Sequence, residues 1–248
     1  TFALDPWPYP RWIAHRGAGR LAPENTLAAF RVGASHGYRM FECDAKLSAD
    51  GVVFLLHDAT LERTTNGKGT AGEWTWQELS ALDAGAWHSP QYQGEPLCTL
   101  QQVARWLLGR NLWLNIEIKP TPGTEVLTGE VVARTAAQLW ADASSWPLLT
   151  SFEPLSLEGA ARIAPHLPRG LLLHEWREGV WDWLQEHQIQ ALVCHHSLWT
   201  PERLRMAARC GLWRLSYTVN DEAVAQSLWQ GGHEAIITDR IDGFNPRR

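Results

Sequence analysis

The feature that most constrains the fold is a repeated alternation of short apolar or β-branched runs with stretches of helical spacing. Strands are predicted at 11–15, 39–46, 52–57, 113–119, 148–152, 170–174, 191–195, 212–219 and 235–238. Helices are predicted between them, notably at 26–35, 129–140, 155–164, 180–187, 201–210 and 221–230. Repeated strand–helix units imply a parallel sheet with right-handed crossovers, and about eight such units close most naturally into a (β/α)8 TIM barrel, an α/β fold.

Residues 58–99 interrupt this alternation. The segment is rich in Thr, Gly and Trp and carries only a short helical pattern around 75–83. We interpret it as a small insertion at the catalytic mouth of the barrel. The length of 248 residues is within what one α/β barrel uses, and no Pro/Ser-rich linker or repeat divides the chain. One domain is therefore predicted over residues 1–248.

Composition limits the classes of partner. The chain has 22 Lys and Arg against 27 Asp and Glu, a net charge of −5. That balance argues against nucleic-acid binding and against stable association with an anionic membrane, because both partners favour a cationic surface. The 4 cysteines are far apart and form no Cys-x-x-Cys pair, which favours a reducing compartment, so we expect a cytoplasmic protein.

Two of the predicted strands contain segments, 41–46 and 115–119, whose charged residues share one face. In the strand at 39–46, Glu42 and Asp44 alternate with apolar neighbours, so they share a face. In the strand at 113–119, Glu117 and Lys119 do the same. The outward face of a barrel strand must be apolar to meet its helix, so these charged side chains are predicted to point into the barrel.

Three inward carboxylates, Glu42, Asp44 and Glu117, need a counter-charge, because removing each ionised group from water costs several kcal/mol. A divalent cation would supply it, and ligation by oxygen alone favours Mg²⁺ or Ca²⁺ over zinc. The alternative interpretation is a buried salt-bridge network in which Arg16 and Lys119 neutralise the carboxylates.

Two histidines are predicted to reach the same rim of the barrel. His15 ends the first predicted strand and His57 ends the third. Barrel enzymes place their catalytic groups at these carboxyl ends. Each imidazole can transfer a proton near neutral pH, and Arg16 and Lys119 can stabilise phosphate charge. Together with a cation, these groups are the parts that phosphoryl transfer requires.

Seven short motifs follow one another along the first half of the chain. They are His15-Arg16-Gly17, Pro23-Glu24-Asn25-Thr26, Glu42-x-Asp44, Asp50-Gly51, His57-Asp58, Leu61-Glu62-Arg63-Thr64-Thr65-Asn66-Gly67 and Asn115-Ile116-Glu117-Ile118-Lys119. In order and spacing they resemble the glycerophosphodiester phosphodiesterase family. Segments at 149–152, 217–220 and 237–239 are also similar, so the resemblance covers essentially the whole chain. Within the family it is most similar to the bacterial cytoplasmic enzyme, notably at 170–177.

The resemblance implies metal-dependent hydrolysis of glycerophosphodiesters, such as glycerophosphocholine and glycerophosphoethanolamine, to sn-glycerol 3-phosphate and an alcohol. By analogy, the ligands of one Mg²⁺ or Ca²⁺ are Glu42, Asp44 and Glu117, the acid–base pair is His15 and His57, and the phosphate-facing residues are Arg16 and Lys119. We expect two steps through a cyclic phosphate, in which a glycerol hydroxyl attacks phosphorus before water does. Direct attack by water remains open.

Aromatic residues are predicted to wall the side of the cleft that takes the alcohol. Phe152 and Tyr217 lie near strand ends, and Trp74, Trp76 and Trp87 lie in the insertion. Apolar contacts of this kind discriminate between substrates by only about 1 to 3 kcal/mol. Broad head-group specificity is therefore expected.

Two polar residues have competing interpretations. Asn25 precedes a helical pattern, so we favour a role as the helix N-cap over one in orienting a ligand. Asp239 ends the last predicted strand, where it can support the site or cap the following turn, and both readings stay open.

Two other functions use scaffolds of this kind. Phospholipases D of the spider-toxin type and phosphatidylinositol phospholipases C act on intact phospholipids and predict an apolar membrane-docking loop, whereas the insertion is polar and Gly-rich apart from its tryptophans. A non-catalytic, aromatic-rich binding module leaves the carboxylates and histidines without a purpose and ranks last. The expected partner is a small-molecule glycerophosphodiester, and a homodimer is left open.

Overall fold

The computed structural model describes residues 5–247 and contains a closed barrel of eight parallel strands with a ninth strand outside it. The strands are β1 (Trp12–Ala14), β2 (Met40–Leu47), β3 (Val53–Leu55), β4 (Trp113–Ile118), β5 (Leu148–Ser151), β6 (Arg169–Leu173), β7 (Ala191–His195), β8 (Trp213–Tyr217) and β9 (Ala235–Thr238). The parallel pairing runs β1-β9-β8-β7-β6-β5-β4-β2 and closes between β2 and β1. The predicted (β/α)8 barrel is confirmed. The single-domain prediction also covers residues 1–4 and 248, which lie outside the described residues.

Helices surround the barrel, apart from a short one at 76–80 that lies in the insertion. They are α1 (Leu27–Ser35), α2 (Trp76–Ser80), α3 (Leu100–Leu108), α4 (Glu125–Leu139), α5 (Pro154–Ile163), α6 (Val180–Glu186), α7 (Pro201–Arg209) and α8 (Glu222–Gln230). The helices predicted from the sequence do not include α3, although it begins with a capping box. Thr99 accepts a hydrogen bond from the Gln102 backbone, and the Gln102 side chain accepts one from the Thr99 backbone. Within the described residues, no helix is long and apolar enough to cross a bilayer.

The strand predicted at 52–57 exists as β3, but it does not continue the strand–helix alternation. It pairs antiparallel with β2, with Leu55 opposite Ala45. The few residues between β2 and β3 can form only a hairpin, because a parallel connection needs a crossover of a dozen or more residues. Since β2 extends to Leu47, the returning strand carries His57 back toward the rim. His57 therefore reaches the mouth on a hairpin and not at the end of a barrel strand.

Residues 58–99 fold over this hairpin with short 3-10 helices at Ala71–Glu73 and Pro90–Tyr92 on either side of α2. The segment has a small apolar core, to which Trp74 and Trp76 contribute from its edge. The buried members of that core are Phe54, Leu56, Leu61, Ala71, Leu79, Ala84 and Leu97. The insertion is thus an ordered subassembly built on β3.

Aromatic rings close the opposite end of the barrel. Trp7 and Tyr9 precede β1, and both pack edge-to-face on Trp213, with ring centroids 5.2 and 6.3 Å away. The Tyr9 hydroxyl donates to the carbonyl of Trp146 at 2.8 Å, and the Trp213 indole donates to the carbonyl of Asp5 at 2.8 Å. The barrel interior is therefore a packed core beneath the mouth and not a channel.

Candidate active site

A cavity of about 170 Å³ opens at the carboxyl ends of the barrel strands. Most of the residues singled out from the sequence line it: His15, Arg16, Glu42, His57, Glu117, Phe152 and Tyr217. Asp44 is completely buried beside this cavity, and Lys119 lines an adjoining one. The structure thus gathers the predicted residues at one place, with Lys119 at its edge.

The three predicted metal ligands form a compact cluster. Register places Asp44 of β2 directly beside Glu117 of β4, and Glu42 lies two residues earlier on β2. One carboxylate oxygen from each of the three lies within 4.8 Å of the others, and all three residues are buried. The inward orientation that strand parity predicts is what the structure shows.

The pKa values of these carboxylates are pushed apart. Burial, reinforced by the Asp44 charge, raises the pKa of Glu42 to about 7. The same causes raise the pKa of Glu117 well above its usual range. Burial acts on Asp44 as well, but a hydrogen bond with Glu117 and the Arg16 charge outweigh it and hold the pKa of Asp44 below its usual range. Carboxylates this close do not all ionise without added positive charge.

The cluster fits a hard divalent cation. Its donors are oxygens only, and one buried oxygen, Oδ1 of Asp44, has no hydrogen-bond partner among the described residues. The salt-bridge alternative accounts for only part of the charge. Arg16 Nε lies 3.6 Å from Asp44 Oδ2, but within residues 5–247 no ion pair joins Lys119 to the cluster.

Asn25 is not the N-cap of α1, contrary to the interpretation favoured from the sequence. The cap is Thr26, whose hydroxyl accepts a hydrogen bond from the Ala29 backbone at 3.2 Å. Asn25 has a φ of +60°, a left-handed conformation that Asn tolerates, and it exchanges two 3.0 Å hydrogen bonds with the side chain and backbone of Asp44. Asn25 therefore fixes the orientation of a cluster carboxylate.

Each predicted catalytic imidazole is held by a carboxylate through Nδ1. His15 Nδ1 lies 2.7 Å from Asp239 Oδ1, and His57 Nδ1 lies 2.8 Å from Asp58 Oδ1. A carboxylate on Nδ1 selects the tautomer with its proton there and leaves Nε2 for chemistry. Of the two interpretations of Asp239, the structure therefore favours the one in which it supports the site, because its carboxylate contacts His15.

The pKa values of the two imidazoles shift in opposite directions. Burial lowers the pKa of His15, but the charge of Glu42 and the hydrogen bond to Asp239 outweigh it, so the pKa is raised overall. For His57, burial outweighs the neighbouring carboxylates, and the pKa is lowered. The two environments thus push the pKa values of the imidazoles apart, which is how an acid–base pair is recognised.

Arg16 and Lys119 bring positive charge from different sides. Arg16 has a φ of +55°, its backbone N–H donates to Glu42 at 3.1 Å, and its guanidinium donates to Glu24 at 3.1 Å. Lys119 follows β4, and its carbonyl accepts a 2.9 Å hydrogen bond from the buried amine of Lys46. Arg16 therefore faces the cavity on a fixed backbone.

The predicted aromatic wall is present in part. Phe152 and Tyr217 line the cavity with their rings edge-to-face, 5.8 Å apart. The three insertion tryptophans do not line it: Trp74 and Trp76 pack against the insertion core, and Trp87 is exposed. Their place in the wall was predicted wrongly, because a sequence cannot show that residues 58–99 have a core of their own.

Comparison with known proteins places the chain in a family. The model of the Glycerophosphoryl diester phosphodiesterase family matches residues 15–243. A glycerophosphodiester phosphodiesterase from Caldanaerobacter subterraneus subsp. tengcongensis is 30% identical over 231 residues, which is 92% of this chain and 93% of that protein.

Solved structures agree. A phosphodiesterase from Oleispira antarctica, in complex with the product sn-glycerol-3-phosphate, is 30% identical with a TM-score of 0.87, covering 96% of this chain and 95% of the other. A glycerophosphodiester phosphodiesterase from Agrobacterium tumefaciens is 28% identical with a TM-score of 0.81, covering 94% of this chain and 97% of the other. The motifs, the barrel and these matches together show that the chain belongs to the glycerophosphoryl diester phosphodiesterase family of enzymes.

Proposed function

We propose that this enzyme hydrolyses glycerophosphodiesters, such as glycerophosphocholine and glycerophosphoethanolamine, to sn-glycerol 3-phosphate and an alcohol. The observation that carries the proposal is that two carboxylate-held imidazoles line one cavity with a cluster of buried carboxylates. Glu42, Asp44 and Glu117 would hold one divalent cation, Mg²⁺ or Ca²⁺. When bound, that cation neutralises the cluster and stabilises charge on the phosphate oxygens.

In the first step, the glycerol hydroxyl next to the phosphate attacks phosphorus. His57, the neutral imidazole, accepts the proton of that hydroxyl at Nε2, and His15 donates its proton to the departing alcohol oxygen. The bond from phosphorus to the alcohol breaks as the cyclic phosphate forms. Arg16 binds a non-bridging oxygen, and Lys119 adds positive charge from the adjoining cavity.

In the second step, the two histidines exchange roles. His15, now neutral, accepts a proton from the attacking water, and His57 returns its proton to the glycerol oxygen that leaves phosphorus. Both imidazoles then have the protonation with which they began. The opposite pKa directions of the two rings support this assignment.

The alcohol is placed over the aromatic side of the cavity. Phe152 also borders a second cavity of about 350 Å³, which extends past His174 and Trp176. The rings of Phe152 and Tyr217 offer contact area with little directional bonding, so they accept alcohols of different shape. Broad head-group specificity follows.

The direct test is release of sn-glycerol 3-phosphate from glycerophosphocholine by the purified chain. We expect no release in EDTA, recovery with Mg²⁺ or Ca²⁺, and rates within about 200-fold of each other for the choline, ethanolamine and glycerol diesters. A folded protein that releases nothing with either cation would contradict the proposed activity.

The cyclic intermediate has its own test. A short reaction quenched in acid should contain cyclic glycerophosphate, and a diester that lacks the neighbouring hydroxyl should not be cleaved. Cleavage of that diester with solvent oxygen in the product, and with no cyclic species from the natural substrate, would establish direct attack by water.

We further propose that the chain acts as one domain in the cytoplasm. Its cysteines are free, and Cys43, Cys98 and Cys194 are buried, which suits a reducing compartment. Light scattering coupled to gel filtration would decide between a monomer and the homodimer that the sequence leaves open.

A further inference from the structure

Arg63, in the insertion, donates hydrogen bonds to two carboxylates near the site. Arg63 donates from Nε and Nη2 to the two oxygens of Asp58, at 2.8 and 3.0 Å. It also donates from Nη1 and Nη2 to the two oxygens of Glu24, at 2.8 and 3.0 Å. Both contacts use the planar fork of the guanidinium, the geometry that makes arginine–carboxylate pairs directional.

Each of these carboxylates holds a residue of the proposed chemistry. Asp58 Oδ1 lies 2.8 Å from Nδ1 of His57. Glu24 Oε2 accepts a hydrogen bond from Nη1 of Arg16 at 3.1 Å. The contacts form a continuous path from His57 through Asp58, Arg63 and Glu24 to Arg16. Arg63 occupies the middle of this path, although it touches neither the imidazole nor the other guanidinium in these contacts.

We propose that Arg63 is a positioning residue that sets the orientation of His57 and Arg16 together, through Asp58 and Glu24. The inference rests on the proposed function, which assigns base chemistry to His57 and phosphate binding to Arg16. It adds a residue from the insertion to the machinery of the barrel mouth and gives residues 58–99 a part in the reaction.

The electrostatics of the path support this role. Asp58 and Glu24 are two anions held on one guanidinium, and their mutual repulsion would drive them apart without it. Hydrogen bonds from Arg63 are the largest cause that holds the pKa of Asp58 below its usual range. Glu24 is mostly buried, so the loss of one of its two guanidinium partners would be costly.

Lysine cannot reproduce this arrangement. Its ammonium is a single point of charge, whereas the guanidinium presents a rigid fork to each of two carboxylates. Arg63→Lys therefore separates positive charge from geometry. Arg63→Met removes both and keeps a side chain of similar length.

The kinetic test compares these variants with wild type under Mg²⁺, with glycerophosphocholine as substrate. We expect Arg63→Met to lower kcat by about 10- to 100-fold, the usual effect of removing an outer-shell partner, and to raise KM as Arg16 loosens. Arg63→Lys should recover only part of kcat. The matched control is Arg162→Met, which removes an exposed ion pair with Glu130 on the outer helices and should leave both constants unchanged.

A double-mutant cycle shows whether Arg63 acts through Asp58. If it does, the loss of kcat in Asp58→Asn combined with Arg63→Met should be well below the sum of the two single losses, and the part that remains arises through Glu24 and Arg16. Fully additive losses would overturn the inference, as would a kcat for Arg63→Met within a factor of two of wild type. Full recovery of kcat by Arg63→Lys would also overturn it, because charge alone would then suffice.

Imidazole NMR of the full chain supplies a readout that needs no turnover. In wild type, long-range ¹H–¹⁵N spectra should show the His57 proton on Nδ1, and Arg63→Met should move population to the Nε2 tautomer. An unchanged His57 tautomer in a folded Arg63→Met protein contradicts the inference even if the wild type proves inactive. An inactive wild type in which the tautomer still responds to Arg63→Met contradicts the proposed function alone.

Discussion

The mouth of the barrel has two unlike halves. The charged half, at the ends of β1, β2 and β4 and on the β2–β3 hairpin, comprises His15, Arg16, Glu42, Asp44, His57 and Glu117. The aromatic half, at the ends of β5, β6 and β8, comprises Phe152, Leu172 and Tyr217. Directional hydrogen bonds fix side chains in the first half, whereas ring contacts dominate the second. For the proposed reaction, this difference predicts strict placement of the phosphate and broad tolerance of the alcohol.

Removing a cluster carboxylate should abolish both functions of the charged half, cation binding and catalysis. Glu42→Ala takes one of three oxygen donors from the cluster, so cation binding and turnover should be lost together, with activity down by at least about 10³-fold. Calorimetry with Mg²⁺ and an assay of sn-glycerol 3-phosphate measure the two losses. The control is Glu186→Ala on the exposed face of α6, which should change neither. Retained Mg²⁺ affinity in Glu42→Ala would show that the cluster is not the cation site.

Removing an imidazole should separate binding from chemistry within the charged half. His57→Ala leaves the carboxylate cluster intact, so Mg²⁺ affinity should be unchanged while kcat falls by about 10²- to 10⁴-fold, the range for a lost general base. Calorimetry and steady-state kinetics on one preparation decide the matter. Equal loss of cation affinity in His57→Ala and Glu42→Ala would contradict this division of labour.

The charged half was largely predictable because strand parity is a local property. Alternation alone places Glu42 and Asp44 on one face and Glu117 on the matching face of the next barrel strand. The supporting residues were harder. Asn25 and Thr26 are both good N-caps, and only the three-dimensional path of the chain shows that Thr26 caps the helix while Asn25 bonds Asp44.

Long-range contacts account for the rest. The hairpin that carries His57 reads as one more strand in the sequence, because periodicity does not reveal whether a strand runs parallel or antiparallel. Arg63 stands in a recognisable motif, yet its two carboxylate partners lie 5 and 39 residues away. The insertion tryptophans were misplaced for the same reason, since a separate core depends on contacts that spacing does not encode.

Substitutions in the aromatic half should have small effects, mainly on substrate affinity. Phe152→Ala removes ring contact with the alcohol, so kcat/KM should fall, mostly through a higher KM. The fall should correspond to a loss of about 1 to 3 kcal/mol in transition-state binding. Measuring glycerophosphocholine and glycerophosphoethanolamine side by side tests this, and Mg²⁺ affinity should match wild type. A loss of kcat as large as that of His57→Ala would erase the distinction between the halves.

The smallest effect concerns stability away from the mouth. His233 is buried with Nε2 2.7 Å from the Ser216 hydroxyl, and burial, with the Arg214 charge, lowers its pKa to about 3. Between pH 6.5 and pH 3, His233 therefore binds a proton in the unfolded chain but not in the folded chain. The contribution of neutral His233 is complete above pH 6.5 and declines as the pH falls toward 3, by at most about 1.4 kcal/mol per pH unit.

His233→Gln removes this titration. The variant should have a lower free energy of unfolding at pH 7, but that free energy should fall less steeply than in wild type between pH 6 and 4. Urea titrations across this range measure the slopes, and the result separates acid unfolding from acid loss of catalysis at the mouth. Identical slopes in the two proteins would show that His233 is protonated in the folded state.

Trp7 and Tyr9 pack on Trp213 at the end of the barrel opposite the mouth. This packing limits where substrate and products can enter and leave. Because that end is packed, we expect substrate, water and both products to pass through the mouth at the carboxyl ends of the strands. In the proposed reaction, the alcohol must leave through it before water can open the cyclic phosphate, so sn-glycerol 3-phosphate departs last. Such ordered release makes sn-glycerol 3-phosphate a competitive inhibitor against the diester and the free alcohol a non-competitive one.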